Sequence, residues 1–106
     1  MNKTPDQKIC VHIVESLKNY PGLVRLDKVA AENALDRLSK DKTIFNGIKI
    51  TNREDLTIID VYVVVEFGTQ IPKFAWELQK KVQEETKEFS GKEIDEINIH
   101  IEGVSL

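Results

Sequence analysis

Between Thr57 and Phe67 the chain reads "TIIDVYVVVEF". β-Branched residues dominate this stretch. They are stiff in a helix and pack well on a pleated surface, so the run predicts one long strand. Thr57, Ile59, Val61, Val63, Val65 and Phe67 fall on one face, and Ile58, Asp60, Tyr62, Val64 and Glu66 on the other. The first set reads as a core face. The second mixes charge with apolar residues and is expected to be only partly covered. Such a strand needs neighbours on its edges and a layer over its apolar face.

The flanking segments offer both. "GIKIT" alternates, with Ile48 and Ile50 on one face and Lys49 and Thr51 on the other, and "NRED" (52–55) is a turn, so the two runs are expected to form a hairpin. At the start of the chain, Thr4, Pro5 and Gln7 make a helix-start signal with a capping box. Ile9, Cys10, Ile13, Val14, Leu17 and Tyr20 then follow helical spacing, and Tyr20-Pro21-Gly22 ends the helix. "LVRL" (23–26) is a short extended segment. Asp27 caps a second expected helix carrying Val29, Ala30, Ala34, Leu35 and Leu38, and "SKDKT" (39–43) reads as a polar connection. After Gly68, Pro72 sits in the first turn of a long helix from about Ile71 to Phe89, with a stripe of Ile71, Phe74, Ala75, Leu78, Val82 and Phe89. Gly91 suits its C-terminal cap. "EINIHIEGV" closes the chain as a strand, with Ile97, Ile99 and Ile101 opposite Glu96, Asn98, His100 and Glu102. The expectation is one domain over residues 1–106, an α+β two-layer sandwich. Its mixed sheet has three or four strands, helices lie mainly on one face, and the last strand runs parallel to the Tyr62 strand through a crossover.

Composition excludes several functions. A formal net charge of −3 argues against nucleic-acid binding driven by overall charge. No apolar run approaches the roughly 18 residues of a membrane span, so direct membrane insertion is not expected. His12, Glu15 and Lys18 interrupt the first apolar segment, which is not a signal-peptide core. The single cysteine, Cys10, rules out an intramolecular disulfide and a cysteine zinc cage. These features favour a reducing cytoplasm.

Trp76 is the residue that breaks the pattern. It lies about 140° from the middle of the helical stripe at about 100° per residue. Three readings stand. It lies flat on a neighbouring loop and over the Lys80 stem, it is a contact for a partner or a second copy, since Trp is enriched at interface hot spots, or it is an idle exposed ring. The polar sheet face is the other candidate. Asp60, Tyr62, Glu66, Glu96, Asn98, His100 and Glu102 are expected to share it with Lys49, and a His beside carboxylates could serve a metal or an acid–base pair. A metal set needs at least three convergent ligands, and His100 has no second histidine near it in sequence. A partly solvated face or a packing face explains the same residues. The loop from Gly68 to Pro72 lacks the glycines and the Lys and Ser/Thr spacing of a phosphate loop. Cys10 and His12 read as core and boundary residues, and "KKVQEETKE" (80–88) as a solvated helix face with supporting ion pairs.

From Gly47 onward the sequence resembles the bacterial alkaline shock protein family, also described as cell-envelope-related stress proteins. The resemblance is carried by "GIKI", by "IDVYVVVEFGTQIP", by Ala75, Gln79 and Val82, and by "GKEIDEINIHIEGV". "ICVHIVESLKNYPGLVRL" is similar to the family's first helix and the turn after it, whereas neither the short strand that usually precedes that helix nor the variable tail of many members is expected in this sequence. The resemblance implies a small cytoplasmic α/β domain tied to envelope stress in Gram-positive bacteria. Some members are held at the membrane by a separate small anchor protein, and some self-associate. It brings no catalytic residue and no cofactor. The expectation is therefore a non-enzymatic interaction module, cytoplasmic or membrane-associated through a partner, with Trp76, Lys80, Tyr62, Asn98 and His100 as contact residues. The alternative is a small ligand- or metal-binding domain or enzyme using His100 and Tyr62.

Overall fold

The computed structural model describes residues 2–33 and 41–106. In chain order the elements are α1 (Pro5–Ser16), β1 (Leu23–Leu26), α2 (Lys28–Asn33), β2 (Lys42–Phe45), β3 (Ile48–Arg53), β4 (Leu56–Glu66), α3 (Ile71–Ser90) and β5 (Glu96–Ser105). The expected helix members Ala34, Leu35 and Leu38, with Ser39 and Lys40 of the expected connection, lie outside the described residues.

β4 is the axis of the sheet. One of its edges carries β5 in parallel along nearly its whole length, from Ile58↔Glu96 to Glu66↔Ser105. The other edge is shared end to end. β3 pairs antiparallel with its first half, from Arg53↔Leu56 to Ile48↔Val61, and β1 with its second, from Leu26↔Val63 to Leu23↔Val65. The two neighbours meet at Tyr62, whose N–H donates to the Gly47 carbonyl at 2.9 Å and whose carbonyl accepts from the Asp27 N–H at 2.7 Å.

That junction explains Gly47. Asn46 and Gly47 hold φ of 49° and 90°, the left-handed pair that a two-residue hairpin turn requires. A Cβ on Gly47 would stand 2.8 Å from the Leu26 Cβ and 3.1 Å from the Asp27 nitrogen. Asn46-Gly47 joins β2 to β3, so among the described residues the sheet has five strands where three or four are expected. The expected polar connection over residues 39–43 is overturned at Lys42 and Thr43, which belong to β2. The second hairpin turn is likewise narrower than "NRED". Asn52 and Arg53 are paired in β3, and the turn is Glu54-Asp55, with Glu54 at φ 55°.

The core lies between one sheet face and the pair α1 and α3. Ile59, Val61, Val63 and Val65 are fully buried there against Ile9, Cys10 and Ile13 of α1 and Phe74, Leu78 and Val82 of α3. Both helices begin as their sequences predict, and α3 ends so too, whereas α1 stops at Ser16 with Leu17 as its C-cap, a turn short of the Tyr20-Pro21-Gly22 end expected. The Thr4–Gln7 capping box is formed, Pro72 occupies the first turn of α3, and Gly91 caps α3 in a left-handed conformation with its N–H on the Lys87 carbonyl. Phe67, expected in the core, is 72% exposed because β4 ends at Glu66 and the chain turns at Gly68. Ile71 and Phe89, the expected ends of the α3 stripe, are also exposed, while Thr86 takes the buried position one turn beyond Val82. α2, whose first turn is capped by Asp27 Oδ1 to the Ala30 N–H, shares a cavity with Tyr62 on the opposite sheet face. That face is better covered than expected: Asp60, Tyr62 and Val64 are all buried.

Candidate functional site

Trp76 stands on the outer flank of α3 and is 59% exposed. The Lys80 ammonium, one turn further along, lies 4.5 Å from the centre of its ring, a cation–π contact made by the charged end of the side chain. Both residues line a groove of about 420 Å³ whose other wall is Ile94, just before β5, with Ile97 and Asn98 of the strand itself. Gln79 ties the walls together, donating from Nε2 to the Ile97 carbonyl at 2.7 Å. The entry of β5 is fixed on its inner side by a reciprocal pair. Asp95 Oδ2 accepts the Thr57 N–H at 2.7 Å, and the Asp95 N–H donates to the Thr57 carbonyl at 3.0 Å.

Asn98 links this groove to the opposite sheet face. Its amide donates to Glu96 Oε2 at 3.1 Å and to Asp60 Oδ1 at 3.2 Å. The same Asp60 oxygen stands 2.8 Å from His100 Nε2. A carboxylate can only accept, so Nε2 carries the proton and Nδ1 is the acceptor of the neutral ring. The imidazole stacks on the Tyr62 ring at 4.3 Å between centroids and 10° between planes. Burial, then the Asp60 and Glu102 charges, pushes the Tyr62 hydroxyl up to about 12, so it stays protonated near neutrality and cannot act as a base there. Tyr62 is 4% exposed and supports His100 more than it faces solvent, though its edge lines a further cavity with Arg25, Asp27, Val29 and Glu102. The five sequence-predicted contact residues are thus drawn around one strand: Trp76, Lys80 and Asn98 on the groove, His100 and Tyr62 on the face beyond it.

A second cluster escaped the sequence reading. His12 Nε2 lies 3.0 Å from Glu85 Oε1, Ser16 Oγ lies 3.0 Å from the same oxygen, and Lys81 Nζ lies 3.1 Å from Oε2. The His12 ring stacks on Phe89 at 4.3 Å. His12 and Ser16 are one turn apart on α1, as are Lys81, Glu85 and Phe89 on α3. These two facing i,i+4 ladders were the available signal. The imidazole points at the carboxylate, and the Ser16 hydroxyl lies between that carboxylate and the His12 backbone carbonyl at 2.8 Å, so the His12 ring is not placed to activate Ser16. The cluster joins two helices. Among the described residues no group of three or more His, Cys, Asp or Glu side chains converges as a metal site. No helix among them is long and apolar enough to cross a membrane.

Comparison with known proteins places these features in a family. Over 60 residues, 57% of this chain and 44% of the relative, the sequence is 41% identical to the uncharacterized protein YqhY of Bacillus subtilis. It is 26% identical over 75 residues, 71% of this chain and 62% of the relative, to the uncharacterized protein YloU of the same organism. It is 23% identical over 99 residues, 92% of this chain and 55% of the relative, to a stress response regulator gls24 homolog of Streptococcus pyogenes. The chain spans about half the length of the curated relatives it matches. No solved structure matches it. The family model that matches covers residues 3–106, and the chain belongs to the alkaline shock protein 23 family, described as having a cell envelope-related function.

Proposed function

We propose that this chain is a non-enzymatic interaction module in the cell-envelope stress response, and that it docks a protein partner through the rim of β5. The family supplies the envelope context, and a relative is named a stress response regulator. The observation that carries the docking reading is Trp76. It is the only tryptophan in the chain, it is more than half exposed, and it stands on a groove with Lys80 and Asn98. Exposing such a ring without a partner leaves a large apolar area in water, and buried aromatic anchors dominate interface energies. The partner on this reading is a protein, including a small membrane-anchored one that would hold the chain at the envelope, and self-association through the same rim is the variant form. The test is partner capture by the tagged chain beside its Trp76→Ala variant. Loss of the partner with an unchanged fold is expected. Equal capture by both would remove Trp76 as the anchor.

The His100–Asp60 contact favours a second reading, a small ligand-binding site on the outer face. Asp60 holds the imidazole in one tautomer at 2.8 Å with Tyr62 behind it, which leaves Nδ1 to accept from a ligand. Calorimetric titration with divalent metals and small polar ligands, wild type beside His100→Ala, decides it. The absence of any His100-dependent heat would count against this site.

A further inference from the structure

We infer that β5 is an acceptor edge, and that the partner adds to it an extended, lysine- or arginine-rich segment as a further strand. This deepens the docking reading above and rests on it. Three observations carry it. First, β5 is ten residues long and pairs only with β4 among the described residues, so its outer edge presents unpaired backbone groups. Among the described residues, Gln79 donates a side-chain hydrogen bond to the Ile97 carbonyl on that flank. Second, the edge is acidic. From Glu93 to Leu106 the chain carries Glu93, Asp95, Glu96 and Glu102 and no Lys or Arg. Asp95 is bound to the Thr57 N–H and Glu93 pairs with Lys87 at 3.7 Å, whereas the exposed Glu96 and Glu102 have no cationic partner among the described residues. Third, the Trp76 ring already holds a cation, Lys80, at 4.5 Å, so its face suits an incoming lysine or arginine in that place.

The charge decides between occupants. A second copy would bring two acidic edges together, which opposite-edge pairing penalises. A basic strand gains main-chain hydrogen bonds along β5 and neutralises Glu96 and Glu102, the mode by which extended peptides add to open sheets. β5 also limits how far such pairing extends. Val63 and Val64 of β4 pair with Ile101 and Gly103, leaving Glu102 as an extra, bulged residue. A bulge bends an edge and interrupts pairing, so the acceptor stretch is Glu96 to Ile101.

The experiment uses synthetic peptides of about ten residues, the length of an ordinary strand. One alternates lysine and valine, a second alternates glutamate and valine, and a third repeats the lysine peptide with alternate backbone nitrogens methylated. Trp76 emission reports binding, and amide hydrogen exchange reports where it occurs. The lysine peptide is expected to bind, more weakly as salt rises, and to slow exchange between Glu96 and Ile101. N-Methylation is expected to weaken it roughly tenfold or more, because it removes donors needed for pairing and keeps the charge. The surface variants Glu96→Lys and Glu102→Lys are expected to fold and to lose binding. The inference is overturned if the glutamate peptide binds as well, if methylation changes nothing, or if protection appears on β2. It is also overturned if the chain alone dimerises with β5 protected, which would make a second copy the occupant. Should no peptide bind while Trp76→Ala still releases the cellular partner, strand addition fails and the docking reading stands.

Discussion

Gln79 donates its side-chain amide to the carbonyl of Ile97 at 2.7 Å, and this bond spans the groove between α3 and β5. Gln79 lies between Trp76 and Lys80, so the bond also sets where the exposed ring stands relative to the strand edge. Gln79→Ala should cost about 1 kcal/mol, the ordinary net worth of one such bond. Urea unfolding followed by Trp76 emission measures it. A lower midpoint at unchanged slope is expected, with a shifted native emission maximum. Unchanged midpoint and emission would show that the groove does not depend on this tie.

Gly47→Ala should be among the most damaging single-atom-scale changes in the chain. The position combines φ of 90° with a Cβ placed 2.8 Å from the Leu26 Cβ, at the point where β1 and β3 meet on β4. A loss of about 2–4 kcal/mol is expected from left-handed strain together with overpacking. Thermal unfolding checks it, and a loss below about 0.5 kcal/mol would mean that the junction relaxes freely.

Thr86 is fully buried on α3, and its hydroxyl has no hydrogen-bond partner among the described residues. Thr86→Val keeps the shape and removes the unpaired group. It should stabilise the fold by about 1 kcal/mol, because a buried unsatisfied hydroxyl carries its desolvation penalty. Destabilisation on denaturant unfolding would show that the hydroxyl is satisfied in solution.

The two ends of the pH scale should act on different groups. The Lys81 ammonium and then the Ser16 hydroxyl hold the Glu85 carboxyl below its usual 4.5, with partial burial opposing them and His12 assisting. A carboxyl depressed in the fold contributes stability that is complete above its ordinary value and lost as pH falls through the depressed one. Stability should therefore decline below about pH 4.5, and Glu85→Gln should flatten that decline. Burial above all, with Asp6 second, pushes the Cys10 thiol from 9.0 to about 12, and burial likewise raises Tyr62 from 10.0 to about 12. Both acids are raised, so their contribution is complete below pH 9 and is lost as the pH climbs toward 12. Denaturant midpoints from pH 3 to 11 should trace both limbs, with Tyr62→Phe flattening only the alkaline one.

The elements that sequence reading found were those with strong periodicity. The alternation of β4, the capping box of α1 and the α3 stripe from Phe74 to Val82 follow from side-chain spacing and local capping chemistry, and the parallel return of β5 from the helical crossover that precedes it. β2 was missed because its residues are half-buried or exposed and its first half is polar. Its real marker is the hairpin dipeptide Asn46-Gly47, of which only Gly47 enters the expected strand "GIKIT". Phe67 was misplaced by extending an alternation one residue past the turn at Gly68. In the site, Trp76 was legible because it sat off the stripe, and Lys80 because it lay one turn away. Glu85 was not. Its acidic neighbours made it resemble a solvated face, and only the packing of α1 against α3 brings His12 and Ser16 to it.

The central claim is that the rim of β5 beside Trp76 is where this chain meets its partner. Site-specific photo-crosslinking in the cell of origin tests it most directly, with the reactive group placed at Gln83 on the groove and, as the contrast, at Thr43 on β2, the strand at the far edge of the sheet. The account predicts one discrete crosslinked protein from Gln83, lost in the Trp76→Ala background, and none from Thr43. Crosslinks from Thr43 with a silent groove would contradict it.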